Sequence, residues 1–137
     1  MKRIEPYLFA NGRADEMIEL YRSALNAEVQ IRITFGENPS PPQMPLPTGW
    51  DAKVMHATLK VGDAQLLLSD GDSDTPANFS GFRISLGLDN EADVRHAFDA
   101  LSASGSVQMP LGQTFWSPLF GMLTDKFGIG WMIGVNA

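Results

Sequence analysis

Three ionisable residues of this 137-residue chain stand where their types could do chemistry: Glu5, His56 and Arg83. His56 lies in an alternating apolar segment, and an imidazole that titrates near neutrality can act as a general base or a single metal ligand. It can equally be a partly buried histidine bonded to a neighbour. His96 falls inside a helical pattern and reads as surface or packing. Glu5 and Arg83 occupy equivalent places in two similar halves of the chain. Together they could hold an anionic ligand or pair across a pseudo-twofold axis; separately they are structural or solvated charges. Tyr7, Phe9 and Trp116 offer rings that could stack on a planar ligand or pack a seam. Met122 and Met132 suit either an adaptable lining or ordinary core. With no cysteine and no Gly-x-Ser-x-Gly elbow, nucleophilic catalysis has no support, and no paired carboxylates suggest glycosidase chemistry.

The elements that must position these residues follow from periodicity. Residues 4–10 (IEPYLFA) read as a strand, and residues 13–25 as an amphipathic helix closed by Asn26. Residues 28–35 alternate as a strand with Val29, Ile31, Ile33 and Phe35 on one face. A Pro-rich insertion, 36–50, cannot hold regular structure. Strands at 54–61 and 64–70 follow, joined by Gly62-Asp63. The pattern then begins again. LFANGRADEMIELYRSALNAEVQI, from Leu8, lies over LGLDNEADVRHAFDALSASGSVQM, from Leu86, a displacement of 78 residues. Lys60-Val61-Gly62 lies over Lys126-Phe127-Gly128, displaced by 66, so the first half carries about 12 extra residues in its Pro-rich segment.

An internal repeat of this kind gives an α+β fold of two βαβββ modules in a single domain spanning 1–137: module one at 1–73 and module two at 79–137. In the second module, Gln113 to Met132 reads as two strands around a turn in which Asp125 bonds its own downstream backbone and Gly128 takes positive φ. One helix covers only one face of a four-stranded sheet. By alternation the helix side takes Leu8, Ala57, Leu59, Ile84, Leu86, Leu88, Leu123, Trp131 and Ile133. The open side takes Glu5, Tyr7, Phe9, His56, Thr58, Lys60, Leu66, Leu68, Arg83, Ser85, Met122, Thr124 and Met132. That mixture of apolar, aromatic and polar groups is the makeup of a ligand pocket.

Composition narrows the class of partner. A net charge of −6 without clustered Lys and Arg argues against nucleic acid. No apolar run reaches the roughly 18 residues of a membrane span, and the absence of cysteine suits the cytoplasm. The expected partner is a small-molecule ligand.

Paired βαβββ modules closed by DKFGIGWMI resemble the vicinal oxygen chelate superfamily, which includes glyoxalase I, fosfomycin- and bleomycin-resistance proteins and extradiol dioxygenases. IEPYLFANGRADEMIELYRSAL, LLLSDG and QTFWSPLFGMLTDKFGIGWMIGV are similar to its PhnB-like branch, often labelled demethylubiquinone methyltransferase-like. The resemblance implies homodimers with clefts between modules. In metal-dependent members it implies ligands on the first and last strands of each module, which fall here on Glu5 (or Pro6), Arg83, Leu66 and Met132. Only Glu5 could ligate a divalent ion, and Arg83 would repel one, so no metal is expected. Nor is a cofactor, because the chain has no Gly-rich strand–helix turn. The expectation is a small-molecule-binding protein with Tyr7, Phe9, His56, Thr58, Arg83, Ser85, Trp116, Met122 and Met132 at its site. The alternative is an enzyme on a small oxygen-rich substrate that uses Glu5, His56 and Arg83, with a weakly bound divalent metal as an option.

Overall fold

The computed structural model describes residues 2–40 and 44–136; Pro41 to Gln43, at the centre of the Pro-rich segment, lie outside the described residues. The chain forms two compact units, one up to Ala77 and one from Asn78 onward. The first contains β1 (Tyr7–Phe9), α1 (Ala14–Leu25), β2 (Glu28–Thr34), a 3-10 turn (Trp50–Ala52), β3 (Val54–Val61) and β4 (Ala64–Ser69). The second contains β5 (Ile84–Leu88), α2 (Glu91–Ser102), β6 (Ser106–Gly112), β7 (Phe120–Thr124) and β8 (Gly130–Val135). Each unit is a βαβββ module with one four-stranded sheet, ordered β1-β4-β3-β2 and β5-β8-β7-β6. The β1–β4 and β5–β8 pairs are parallel, and the remaining neighbours are antiparallel. The fold is therefore α+β, as the repeat implied.

In each module the helix packs on one sheet face. Met17, Ile18, Tyr21 and Ala24 of α1 are buried, as are Leu8, Ala57, Leu59, Leu66 and Leu68 of the first sheet. In the second unit Val94, Ala97, Phe98 and Leu101 of α2 are buried with Leu123, Trp131 and Ile133. Gly121 lies so close to Phe98 that an added Cβ would stand 2.8 Å from the ring. The two helices start differently. Asn90 caps α2 by accepting from Asp93 N at 2.9 Å. In α1 the N-cap position is Arg13, which makes no capping bond. Buried Asp70 supplies it from the end of β4: its Oδ1 accepts from Gly12 N (2.9 Å) and Ala14 N (2.8 Å), and its Oδ2 from Val54 N (2.7 Å). One carboxylate thus joins β4, β3 and the helix start. The α1 C-cap is Asn26 at φ 53°, in the left-handed region.

Three local readings are corrected. The first strand begins at Tyr7, not residue 4, because Pro6 has no N–H to donate; its carbonyl accepts from Leu67 N at 3.1 Å. The stretch after Gln113 is loop up to Leu119, held by the Thr114 and Ser117 hydroxyls, so β7 starts at Phe120. In β2, Val29 faces Leu59 while Ile31 faces Thr58, so Gln30 is an extra residue and the strand carries a bulge. Val29 and Arg32 consequently lie on the helix side, and Ile31 and Ile33 on the open side, instead of sharing one face. The second module repeats the bulge at Gln108, between Val107 (facing Leu123) and Met109 (facing Met122).

Register also refines the repeat. Ile31 and Met109 correspond, a displacement of 109 − 31 = 78, as expected. Thr58 corresponds to Met122, displaced by 122 − 58 = 64, and Leu67 to Met132, displaced by 132 − 67 = 65. The displacement of 66 came from matching turn residues, but five residues separate the paired Thr124 and Gly130, against four between the corresponding pair Lys60 and Gln65. A one-residue slip exchanges the faces of a strand. Leu66 and Leu68 pair with Leu59 and Ala57 on the helix side, contrary to the expectation, and the open side takes Gln65 and Leu67.

The Pro-rich segment is tied down after its centre. Trp50 is buried, its indole N–H donates to Gly71 O at 2.7 Å, and Gly36 N and Phe35 N donate to Asp51 O and Lys53 O. Lys53 Nζ donates to Gly12 O at 2.9 Å. The turn before β8 is as read: Asp125 Oδ1 accepts from Phe127 N and Ile129 N, its Oδ2 accepts from Trp131 Nε1, and Gly128 has φ 94°.

Candidate functional site

On the open face of the first sheet, four expected residues come together. Tyr7 (β1) and His56 (β3) meet at 2.8 Å, phenol oxygen to Nδ1, and His56 Nε2 lies 3.0 Å from Thr58 Oγ1. The Tyr7 ring stacks on Phe9 with centroids 5.1 Å apart and an interplanar angle of 29°. The alternation of β1 and β3 turns all four side chains away from α1, and the register sets Tyr7, Leu67 and Thr58 in one row. Tyr7 and Phe9 remain 40% and 53% exposed, a large apolar presentation for residues of a sheet. Partial burial raises the Tyr7 phenol above its ordinary value of 10.0, so it keeps its proton at neutral pH and can donate it. A phenol donating to Nδ1 leaves the His56 proton on Nε2, directed to Thr58. Both imidazole nitrogens are therefore engaged.

The second unit presents a different set on its open face. By register Ser85 stands where Tyr7 stands, Phe120 where His56 stands, Met122 where Thr58 stands and Met132 where Leu67 stands. Arg83, just before β5, holds the place of Glu5. Its guanidinium crosses β8 over Gly130, where an added Cβ would lie 3.0 Å from Arg83 Cγ and 3.1 Å from Nη1. Nη1 donates to Leu123 O at 2.9 Å and reaches Trp131 O at 3.5 Å. Arg83, Met132, Thr124, Phe79 and Phe82 line an open depression of about 530 Å³. Trp116 lies apart from that depression, edge-on to Phe115 (4.7 Å) and Phe120 (5.3 Å). Glu5 is half-buried, with no hydrogen-bond or ion-pair partner among the described residues.

The donor set fits a divalent metal poorly. The register replaces Leu66 by Leu67 at the last-strand position of the first module, so the four positions hold Glu5, Arg83, Leu67 and Met132. Each module offers at most one ligating group there. Among the described residues no group of three or more His, Cys, Asp or Glu side chains could hold an ion. His56 would have to give up a hydrogen bond to ligate. A depression of about 660 Å³ between α1 and β2 is lined by residues that include Asp15, Arg22, Glu28 and Arg32 and contains none of the candidates. Its wall is the Asp15–Arg32 pair at 2.8 Å, and the guanidinium hydrogen bond holds the Asp15 carboxyl below its ordinary value. No helix among the described residues is long and apolar enough to cross a membrane. Sequence reasoning passed over Gly130, Phe79 and Phe82; the FSGF run ahead of Arg83 was the available signal.

Two βαβββ modules, each with an open sheet face opposite its helix, define the paired-module glyoxalase fold. The chain belongs to the glyoxalase/bleomycin resistance protein/dioxygenase superfamily, whose family model matches residues 3–133. It is similar to protein YjdN of Escherichia coli, at 34% identity over 96% of this chain and 94% of that protein. The crystal structure of protein PA1353 from Pseudomonas aeruginosa covers 99% of this chain and 98% of its own, at 39% identity and TM-score 0.85. A Bacillus cereus PhnB protein, described as a putative 3-demethylubiquinone-9 3-methyltransferase, has the same fold at 23% identity and TM-score 0.79, covering 98% of this chain and all of its own.

Proposed function

We propose that this protein binds a small, partly aromatic molecule on its open sheet faces and does so without a divalent metal. The observation that carries the reading is the Tyr7–His56–Thr58 chain beside the exposed ring of Phe9. Stacked rings give a flat apolar platform, and the bonded polar row beside it orients a ligand, which is the usual division of labour in a small-molecule site. Assembly as a homodimer belongs to the same proposal, since an open sheet face with exposed aromatic groups calls for a cover. Elemental analysis of the purified protein together with a ligand-panel titration tests it. Stoichiometric zinc, nickel or manganese would overturn the metal-free reading. Saturable binding that weakens in Phe9→Ala and His56→Ala supports the site, and binding indifferent to both removes it from this face.

The bonded phenol and imidazole favour a second reading, an enzyme in which His56 exchanges a proton with a substrate and Tyr7 holds its tautomer. Turnover lost in His56→Ala while ligand affinity persists would favour this reading over simple binding.

A further inference from the structure

We infer that Arg83 is an oxyanion-binding residue and that the depression it lines takes the carboxylate or phosphate of a small aromatic molecule. This rests on the small-molecule reading above and names the chemistry of the ligand. In a chain of net charge −6, the depression's only charged residue among those described is this arginine. The guanidinium is already positioned: Nη1 is bonded to Leu123 O, and the missing Cβ of Gly130 lets the side chain lie across β8. Nε and Nη2 have no acceptor among the described residues and remain available as donors. A guanidinium offers a planar fork that matches carboxylate and phosphate oxygens, and holding it in place beforehand removes much of the ordering cost of binding. Phe79, Phe82 and Met132 supply apolar walls next to that cation, which suits a ring attached to the anion.

The test is an NMR titration of isotopically labelled protein with three probes: benzoate, phenyl phosphate and neutral benzamide. Wild type is expected to show saturable shifts around Gly130 and Thr124 with the two anions, and much weaker shifts with benzamide. Preference between benzoate and phenyl phosphate then distinguishes carboxylate from phosphate. Arg83→Met should weaken anion binding by about tenfold or more, the loss of a charge-assisted hydrogen bond. Gly130→Ala guards against a variant that merely misfolds: the three atoms nearest the new Cβ all belong to the flexible Arg83 side chain, so the fold should persist while the guanidinium is displaced and anion affinity falls. Equal binding of benzamide and benzoate, unchanged in both variants, would overturn the oxyanion assignment and leave small-molecule binding standing. No saturable shift with any probe overturns the assignment as well, while the panel on the first sheet judges the broader reading separately.

Discussion

Tyr7 and His56 are 49 residues apart in the chain, and their side chains meet at 2.8 Å on one sheet face, reaching over the β4 strand that lies between β1 and β3. The bond depends on a phenol that keeps its proton. Burial raises the Tyr7 pKa, so the folded value exceeds the unfolded one. Its stabilising contribution is fully present below the ordinary value of 10.0 and is lost as pH rises through the folded value. The difference in tyrosinate absorbance between wild type and Tyr7→Phe should therefore show a midpoint above 10.0. Thermal stability should fall more steeply in alkali for wild type than for Tyr7→Phe. A midpoint at or below the ordinary value would contradict the partly buried, bonded phenol.

Asp70 should matter far more than its counterpart in the second module. Truncation to Ala leaves three backbone N–H donors, on Gly12, Ala14 and Val54, without their acceptor. Each buried donor left unpaired costs about 1–3 kcal/mol, so Asp70→Ala should cost roughly 3 kcal/mol or more. Asn90→Ala removes one capping bond at an exposed helix start and should cost about 1 kcal/mol. Denaturant melts of the two variants compare them directly, and equal costs would refute the stapling role of Asp70.

The Asp15–Arg32 pair makes a weaker, pH-dependent claim. Arg32 faces α1 only because the bulge at Gln30 turns it to the helix side. Its hydrogen bond lowers the Asp15 pKa, so the contribution of the pair is present above the ordinary carboxylate value of 3.8 and is lost as pH falls through the depressed one. Both side chains are largely exposed, and such pairs contribute below about 1 kcal/mol. Asp15→Asn should cost a few tenths at neutral pH, and nothing in strong acid or high salt. A large cost persisting in acid would point to a packing role instead.

The sequence displayed the modules clearly because their helices and turns have strong local signals. Met17, Tyr21 and Ala24 recur at helical spacing, and Asp125 with Gly128 marks a turn whatever lies around it. The aromatic and polar candidates on β1 and β3 were also readable, since alternation alone sends Tyr7, Phe9, His56 and Thr58 to one face. Bulges leave no such trace. Gln30 and Gln108 are ordinary strand residues, and only the partner strands reveal that each is extra. The capping role of Asp70 was equally hidden, because its partners at Gly12 and Ala14 are more than fifty residues away. The same is true of Arg83 over Gly130, a contact made by a missing side chain.

The face of β4 is where local reading and register disagree, and the disagreement can be measured. Matching Gly62 to Gly128 placed Leu66 on the open side; pairing places Leu67 there, between Tyr7 and Thr58. Leu66 is 5% exposed and pairs with Leu59 on the helix side, so Leu66→Ala removes core volume and should cost about 2–4 kcal/mol. Leu67 is only half-buried, and Leu67→Ala should cost about 1 kcal/mol or less while altering ligand binding beside Tyr7. Chemical denaturation and ligand titration of the two variants separate these effects. If Leu66→Ala spares stability and disturbs binding while Leu67→Ala does the reverse, the register is wrong by one residue, and the row Tyr7–Leu67–Thr58 falls with it.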